Sequence, residues 1–249
     1  MIAMDVIAAL SLPPDSKVDQ RVPKKLLVEN GAPTAADKRQ INEGIEELMW
    51  LAVLKPTTIG VAEYRDAVRE YLEIAVLSLS LRPAAKGGRL MELVHRAIPY
   101  PVLLLSQQPE VITLSLAHKR WSQGEAGKVV LDDAVISCQL VQHSTASAFL
   151  QSLSLAAQPR AHLMALYQGW IDCLRAFQAA RVIGRFVMPA DSQAASARRE
   201  ALLEHERLTR QIALLRAQAE RESQVNRRVD LNLEIKRLHA ELAEAAVRL

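Results

Sequence analysis

No glycine or proline follows Pro189, so nothing in the composition of the last part of the chain interrupts a helix before Leu249. The segment is rich in Ala, Glu, Arg and Leu, as long helices and coiled coils are. Ala201, Leu208 and Leu215 share one heptad position, with Ile212 and Ala219 at its partner position. Leu231, Leu238 and Ala245, with Ile235, Leu242 and Leu249, form a second seam. The two registers differ: 16 residues separate Leu215 from Leu231, two more than two heptads. The polar bridge ERESQVNRRVDLN must therefore supply a stutter, a bend or a reversal into a hairpin. Apolar seams need a covering surface, which makes Leu208, Ile212, Leu215, Leu231, Ile235, Leu238 and Leu242 the expected partner-binding residues, with self-association a further use of the same seams. Asn226 and Asn232 are candidates for fixing register, because a polar group buried in a seam rejects pairings that leave it unsatisfied.

The preceding sequence reads as a mixed α/β body. Proline stops a short apolar N-terminal helix at Pro13 and Pro14. VPKKLLVENG, from Val22 to Gly31, has the look of a short strand. PTAADKRQINEGIEELMWLAVLKP reads as one helix, with Thr34 as N-cap, Asp37 in the first turn, Ile41, Ile45, Leu48 and Ala52 at helical spacing, and Pro56 as its end. Leu77, Leu79 and Leu81 then alternate with Ser78 and Ser80, a strand with one wetter face. GGRLMELVHRAIP follows as a helix. YPVLLL and VITLSLAHKR read as a hairpin around SQQPE, and GKVVLDDAVISCQL as a further strand broken at Asp132 and Asp133. From Ser144 to Phe186 the pattern is helical, with a break at Pro159.

The expected fold is α+β: a mostly antiparallel sheet of four or five strands with packed helices, then a helical segment and a C-terminal long helix or coiled coil. The corresponding division is residues 1–143 as core, 144–186 as its helical extension, 187–197 as linker and 198–249 as the C-terminal helix.

Charge narrows the partners. The net charge is +3, and from Ser192 to Leu249 there are 11 Lys and Arg against 9 Asp and Glu, so neither half is the polycation of a dedicated nucleic-acid binder. Lys119, Arg120, Arg227 and Arg228 are the candidates for nucleic-acid contact, although Asp230 and Glu234 stand at helical spacing from the last two. Cys138 and Cys173 have no partner at ligand spacing and read as buried thiols. The apolar N-terminus carries Asp5, lacks a basic leader and is too short to span a bilayer, so no membrane role and a cytoplasmic location are expected.

Phosphate-cradling glycine loops, G-x-S-x-G turns, H-E-x-x-H pairs and Cys-x-x-Cys are all missing from the sequence, and no catalytic residue, cofactor or metal is assigned. Glu73, Glu110, Asp132, Asp133 and Lys119 would be the parts of a metal-dependent nuclease, the enzymatic alternative. Their order is not that of a nuclease motif. His95 and His118 read as surface or satisfied core residues.

VPKKLLVENG, LMWLAVLKPTTIG, EIAVLSLSL, HRAIPYPVLLL and ESQVNRRVDLNLEIKRL, in that order, resemble the bacterial family described as domain of unknown function 4391. AIPYP and NRRVDLN are the specific blocks of that resemblance. It implies a small protein encoded beside helicases and DNA methyltransferases of restriction or phage-defence type, and supplies no catalytic residues to transfer. The implied role is a non-catalytic accessory or scaffolding subunit, binding a helicase or DNA methyltransferase through its core and C-terminal coiled coil and touching DNA weakly or indirectly. A DNA-binding adaptor is the third reading.

Overall fold

The computed structural model describes residues 3–125, 127–140 and 144–249, so the core boundary read at residue 143 lies outside them. In chain order, α1 (Ala3–Ala9) is followed by β1 (Lys17–Arg21), α2 (Lys24–Gly31), α3 (Ala35–Gly44), β2 (Ile45–Leu54) and α4 (Pro56–Ile59). Next come β3 (Tyr64–Arg65), β4 (Glu70–Tyr71), β5 (Ile74–Leu81), α5 (Gly87–Ala97), β6 (Val102–Gln108) and β7 (Val111–Leu116). The chain continues through β8 (Lys119–Trp121), β9 (Val129–Leu131), β10 (Ile136–Gln139), α6 (Ala146–Ser152), α7 (Leu163–Ile183), α8 (Ser192–Arg221) and α9 (Val225–Val247).

Six strands form one mixed sheet in the order β1-β2-β5-β6-β7-β10, giving an α+β fold. All neighbours are antiparallel except β5 and β6, which are parallel because α5 carries the chain back between them. β5 is buried at Ile74–Leu77 and wetter at Ser78 and Ser80, as its alternation requires. The edge strand β1 is exposed throughout and carries Lys17, Asp19 and Arg21, charges that discourage pairing with another chain.

One face of the sheet packs Leu48, Leu77, Leu79 and Leu104 against Leu27 of α2, Ile41 of α3 and Leu90, Leu93 and Val94 of α5. Thr34 caps α3 as expected, its Oγ1 accepting the Asp37 N–H at 3.1 Å. Asp37 then receives Arg89 of α5 in two hydrogen bonds of 2.9 and 3.0 Å, tying the helices together. The Arg89 guanidinium and the Thr34 hydroxyl hold its carboxyl down at about 2.

Three elements differ from the sequence reading. VITLSLAHKR is not one strand: β7 ends at Leu116, and Lys119–Trp121 is β8, paired with β9 in a separate two-stranded sheet. Val22–Gly31 is not a strand: Lys24–Gly31 is helix α2, entered from Pro23, with Leu27 and Gly31 buried one turn apart. The single helix expected up to Pro56 ends at Gly44, and Ile45–Leu54 is strand β2.

The chain forms two compact units, one up to Leu174 and one from Arg175 to Leu249, with the division inside α7. In the second unit the C-terminal segment is a helical hairpin turning at Glu222–Gln224, which decides among the three readings of the polar bridge. α8 begins at Ser192, within the stretch read as linker, because the Asp191 carboxylate caps it by accepting the Ala194 N–H at 2.8 Å.

Candidate functional site

A hydrogen-bonded polar cluster lies where β7 gives way to β8, at the end of the stretch LAHKR. Ala117 is fixed by Tyr167 of α7, whose hydroxyl accepts the Ala117 N–H at 2.9 Å and donates to the Val102 carbonyl at 2.7 Å. His118 stands between two partners: the Tyr71 hydroxyl at Nδ1, 2.5 Å away, and Gln168 Oε1 at Nε2, 2.8 Å away. Gln168 gives its amide N–H to Asp172 at 2.9 Å, so its oxygen faces the histidine. An amide oxygen only accepts, which places the imidazole proton on Nε2 and makes Nδ1 the acceptor from Tyr71. The result is a directed chain, Tyr71 to His118 to Gln168 to Asp172. Burial pushes the phenol of Tyr71 up, so it remains a donor.

Lys119 turns the other way. It is buried, and its ammonium donates to the His95 carbonyl and, at 2.8 Å, to the Ile98 carbonyl, satisfying oxygens at the C-terminal end of α5. Burial holds it down at about 7. Beside it His95 is fully buried, with Nε2 3.0 Å from the Ser115 hydroxyl and Nδ1 unpartnered; desolvation, with the Lys119 charge adding to it, holds it down at about 3. Arg120 lies 3.3 Å from Asp132, whose carboxylate also receives Arg69 at 2.9 Å.

Lys119, read as a candidate for nucleic-acid contact, is thus a helix-terminating side chain whose charge does not reach the surface. Arg120 is half-buried on Asp132. The remaining nuclease parts are dispersed. Glu73 pairs with Lys55 at 3.3 Å, and Glu110 lies in the turn before β7 while Lys119 follows its other end, a strand of roughly 17 Å between them. Among the described residues, no three His, Cys, Asp or Glu side chains are placed to hold a metal ion. Both cysteines are buried, and burial pushes the Cys173 thiol up, away from the reactive thiolate.

The hairpin gathers the other sequence-derived candidates. Leu208, Ile212, Ile235 and Leu238 are buried in one cluster with Ala219 and Ala245, and Leu215, Leu231 and Leu242 pack on it. The two seams therefore cover each other. Leu215 and Leu231, Leu208 and Leu238, and Ala201 and Ala245 are each equidistant in sequence from Ser223, so a turn there brings both registers into phase. Asn226 and Asn232 are exposed, not in the seam, and do not set its register. Arg227 and Arg228 are exposed at the start of α9; Arg227 lines a depression of about 560 Å³ at the hairpin turn, with Arg221, Glu222 and Asp230 also on its wall. Glu234, expected to balance this pair, bonds Arg237 at 2.6 Å.

Sequence reasoning missed the Tyr71–His118–Gln168 chain, because its members are 47 and 50 residues apart and no local spacing announces them. It also missed the back of α9, where Val225, Val229, Leu233 and Val247 are 50–88% exposed. Their helical spacing was available as a signal.

The profile of the family described as a domain of unknown function, DUF4391, matches residues 10–242. The chain belongs to this family. For a DUF4391 chain the match matters in its extent, since it takes in the sheet, the polar cluster and most of the hairpin. No curated protein and no solved structure is significantly similar to this DUF4391 chain. Among the described residues, no helix is long and apolar enough to cross a membrane.

Proposed function

We propose that the chain is a non-catalytic accessory subunit that binds a partner protein through its body and C-terminal hairpin. By the resemblance set out above, the partner is a helicase or DNA methyltransferase of a bacterial restriction or phage-defence system. The supporting observation is the exposure of Val225, Val229, Leu233 and Val247 on α9, after its seam has already been covered within the chain. The reactive-looking groups of the body point the same way: His118 bonds Tyr71 and Gln168, Lys119 closes α5, and Asp132 carries two arginines.

The test is co-expression with the helicase and methyltransferase encoded at the same locus, followed by purification through increasing salt. A stoichiometric complex is expected. Failure of both to co-purify, or Mg²⁺-dependent DNA cleavage by the isolated chain, would sink the proposal. Salt-sensitive DNA binding without a partner would favour the adaptor instead.

A further inference from the structure

The back of α9 is a second seam. At 100° per residue, Val225, Val229, Leu233, Ala240, Ala243 and Val247 fall within about 40° of one line along the helix. All six are exposed, and the line runs opposite Leu238 and Ala245, which face α8. From Val229 onward the spacing is 4, 3, 4, 3, 4 with Lys236 included, the repeat of a coiled-coil face. α8 offers the contrast. Its back carries the Glu206–Arg210 ion pair between Leu203 and Leu214, as a solvated helix face does.

Lys236 is the single charged residue of the α9 stripe and identifies what can cover it. It lies midway between Val225 and Val247, so a full-length antiparallel pairing of two α9 helices would put Lys236 on the two-fold axis against its own copy. A parallel pairing in register would do the same. Both would desolvate two like charges together. Resting on the accessory-subunit reading, we infer that the α9 back seam docks an amphipathic helix of a different protein that presents Asp or Glu opposite Lys236. The ammonium then sets register and rejects a second copy, while the valines and leucine supply the buried area.

The probes are synthetic helical peptides about three heptads long, with leucine at their seam positions and Glu or Lys at the central one. Fluorescence anisotropy with the full chain should show the Glu peptide binding at least about tenfold more tightly than the Lys peptide, a preference inverted in Lys236→Glu. Val229→Asp/Leu233→Asp should weaken binding about a hundredfold, while Leu203→Asp/Leu214→Asp on the back of α8 should leave it unchanged. Circular dichroism checks that each variant keeps its helix content. No binding of the Glu peptide, equal binding of both peptides, or a wild-type dimer in sedimentation velocity that Val229→Asp/Leu233→Asp dissolves would each overturn the inference. Co-purification with the neighbouring gene products reports on the accessory-subunit reading separately. A complex that survives Val229→Asp/Leu233→Asp would keep that reading and reject this surface; a peptide result as expected without any such complex would do the reverse.

Discussion

Lys119 couples the fold to pH in a direction that can be worked out. Its folded value of about 7 lies below the ordinary 10.5, so between pH 7 and about 10 the unfolded chain holds a proton that the folded chain lacks, and stability rises with pH. Below pH 7 both states are protonated and the cost of the buried charge is complete. Above about pH 10 the buried phenols of Tyr71 and Tyr167, both pushed up, act in the opposite sense, because the unfolded chain releases protons that the folded one keeps. On the acid side His95, held at about 3 against 6.5, removes stability as pH falls from 6.5 towards 3. Urea titrations of the wild type should therefore show stability rising by a few kcal/mol, in order of magnitude, from pH 7 to 10. In Lys119→Met that rise should be lost whatever happens to the absolute stability, leaving the opposite contribution of the Cys173 thiol, which burial pushes up; an unchanged rise would show that the lysine is not the titrating group. Tyr71→Phe leaves His118 Nδ1 without its donor and should cost about 1–3 kcal/mol. A double-mutant cycle with His118→Phe should recover a coupling energy, and strict additivity would contradict the Tyr71–His118 bond.

Among the elements, the α2–α5 contact depends on Gly31, where an added Cβ would come within 2.6 Å of the Leu93 carbonyl oxygen and 2.7 Å of Ala97 Cβ. Backbone on one side leaves little room for relief, so Gly31→Ala should destabilise the body by about 1–3 kcal/mol in a denaturant melt. The hairpin makes an opposite demand. Leu208→Asp/Leu215→Asp and Leu238→Asp/Leu242→Asp each place charge in the shared seam and should cost several kcal/mol, in order of magnitude, exposing both helices to protease without any partner present. Protease resistance equal to wild type in either variant would mean that the seam does not hold the hairpin. Why some elements were legible and others not follows from period. β5 and α5 keep a two- or 3.6-residue repeat, β6 is a short apolar run closed by a turn, and β7 alternates at Ile112, Leu114 and Leu116. Each shows as an element in the sequence, although β7 ends at Leu116 rather than running on to Arg120. β2 keeps no such repeat: irregularities between Ile45 and Glu47 and between Trp50 and Ala52 shift its register, leaving Ile45, Leu48 and Ala52 buried at intervals of three and four, the signature of a helix. α2 is so short that Leu27 and Gly31 are its only fully buried residues, too few to reveal a period. The fate of Lys119 was illegible for another reason: whether it meets solvent or a helix end depends on where α5 terminates in space, which no neighbour in sequence encodes.

Across the whole molecule the sheet body and the C-terminal hairpin are separate units by contact, although the boundary lies within α7. Removing everything after Pro189 keeps α7 entire and should leave a folded body that has lost partner binding; a collapse of its cooperative thermal melt would show that the hairpin completes the core. The hairpin itself has a property that a single long helix would lack, namely that its length can be changed without changing its pairing. Because seam residues mirror one another about Ser223, excising residues 209–215 together with 231–237 keeps Leu208 and Leu238 equidistant from the turn and should shorten the arm by about 10 Å with the seam intact. Excising only one of the two stretches would instead draw one strand of the arm past the other and strip Leu249 from its packing with Ala179 and Ala201 at the base. Families built on such an arm can vary in reach only by matched insertions or deletions on its two sides, so lengths among relatives should change in both halves at once or not at all.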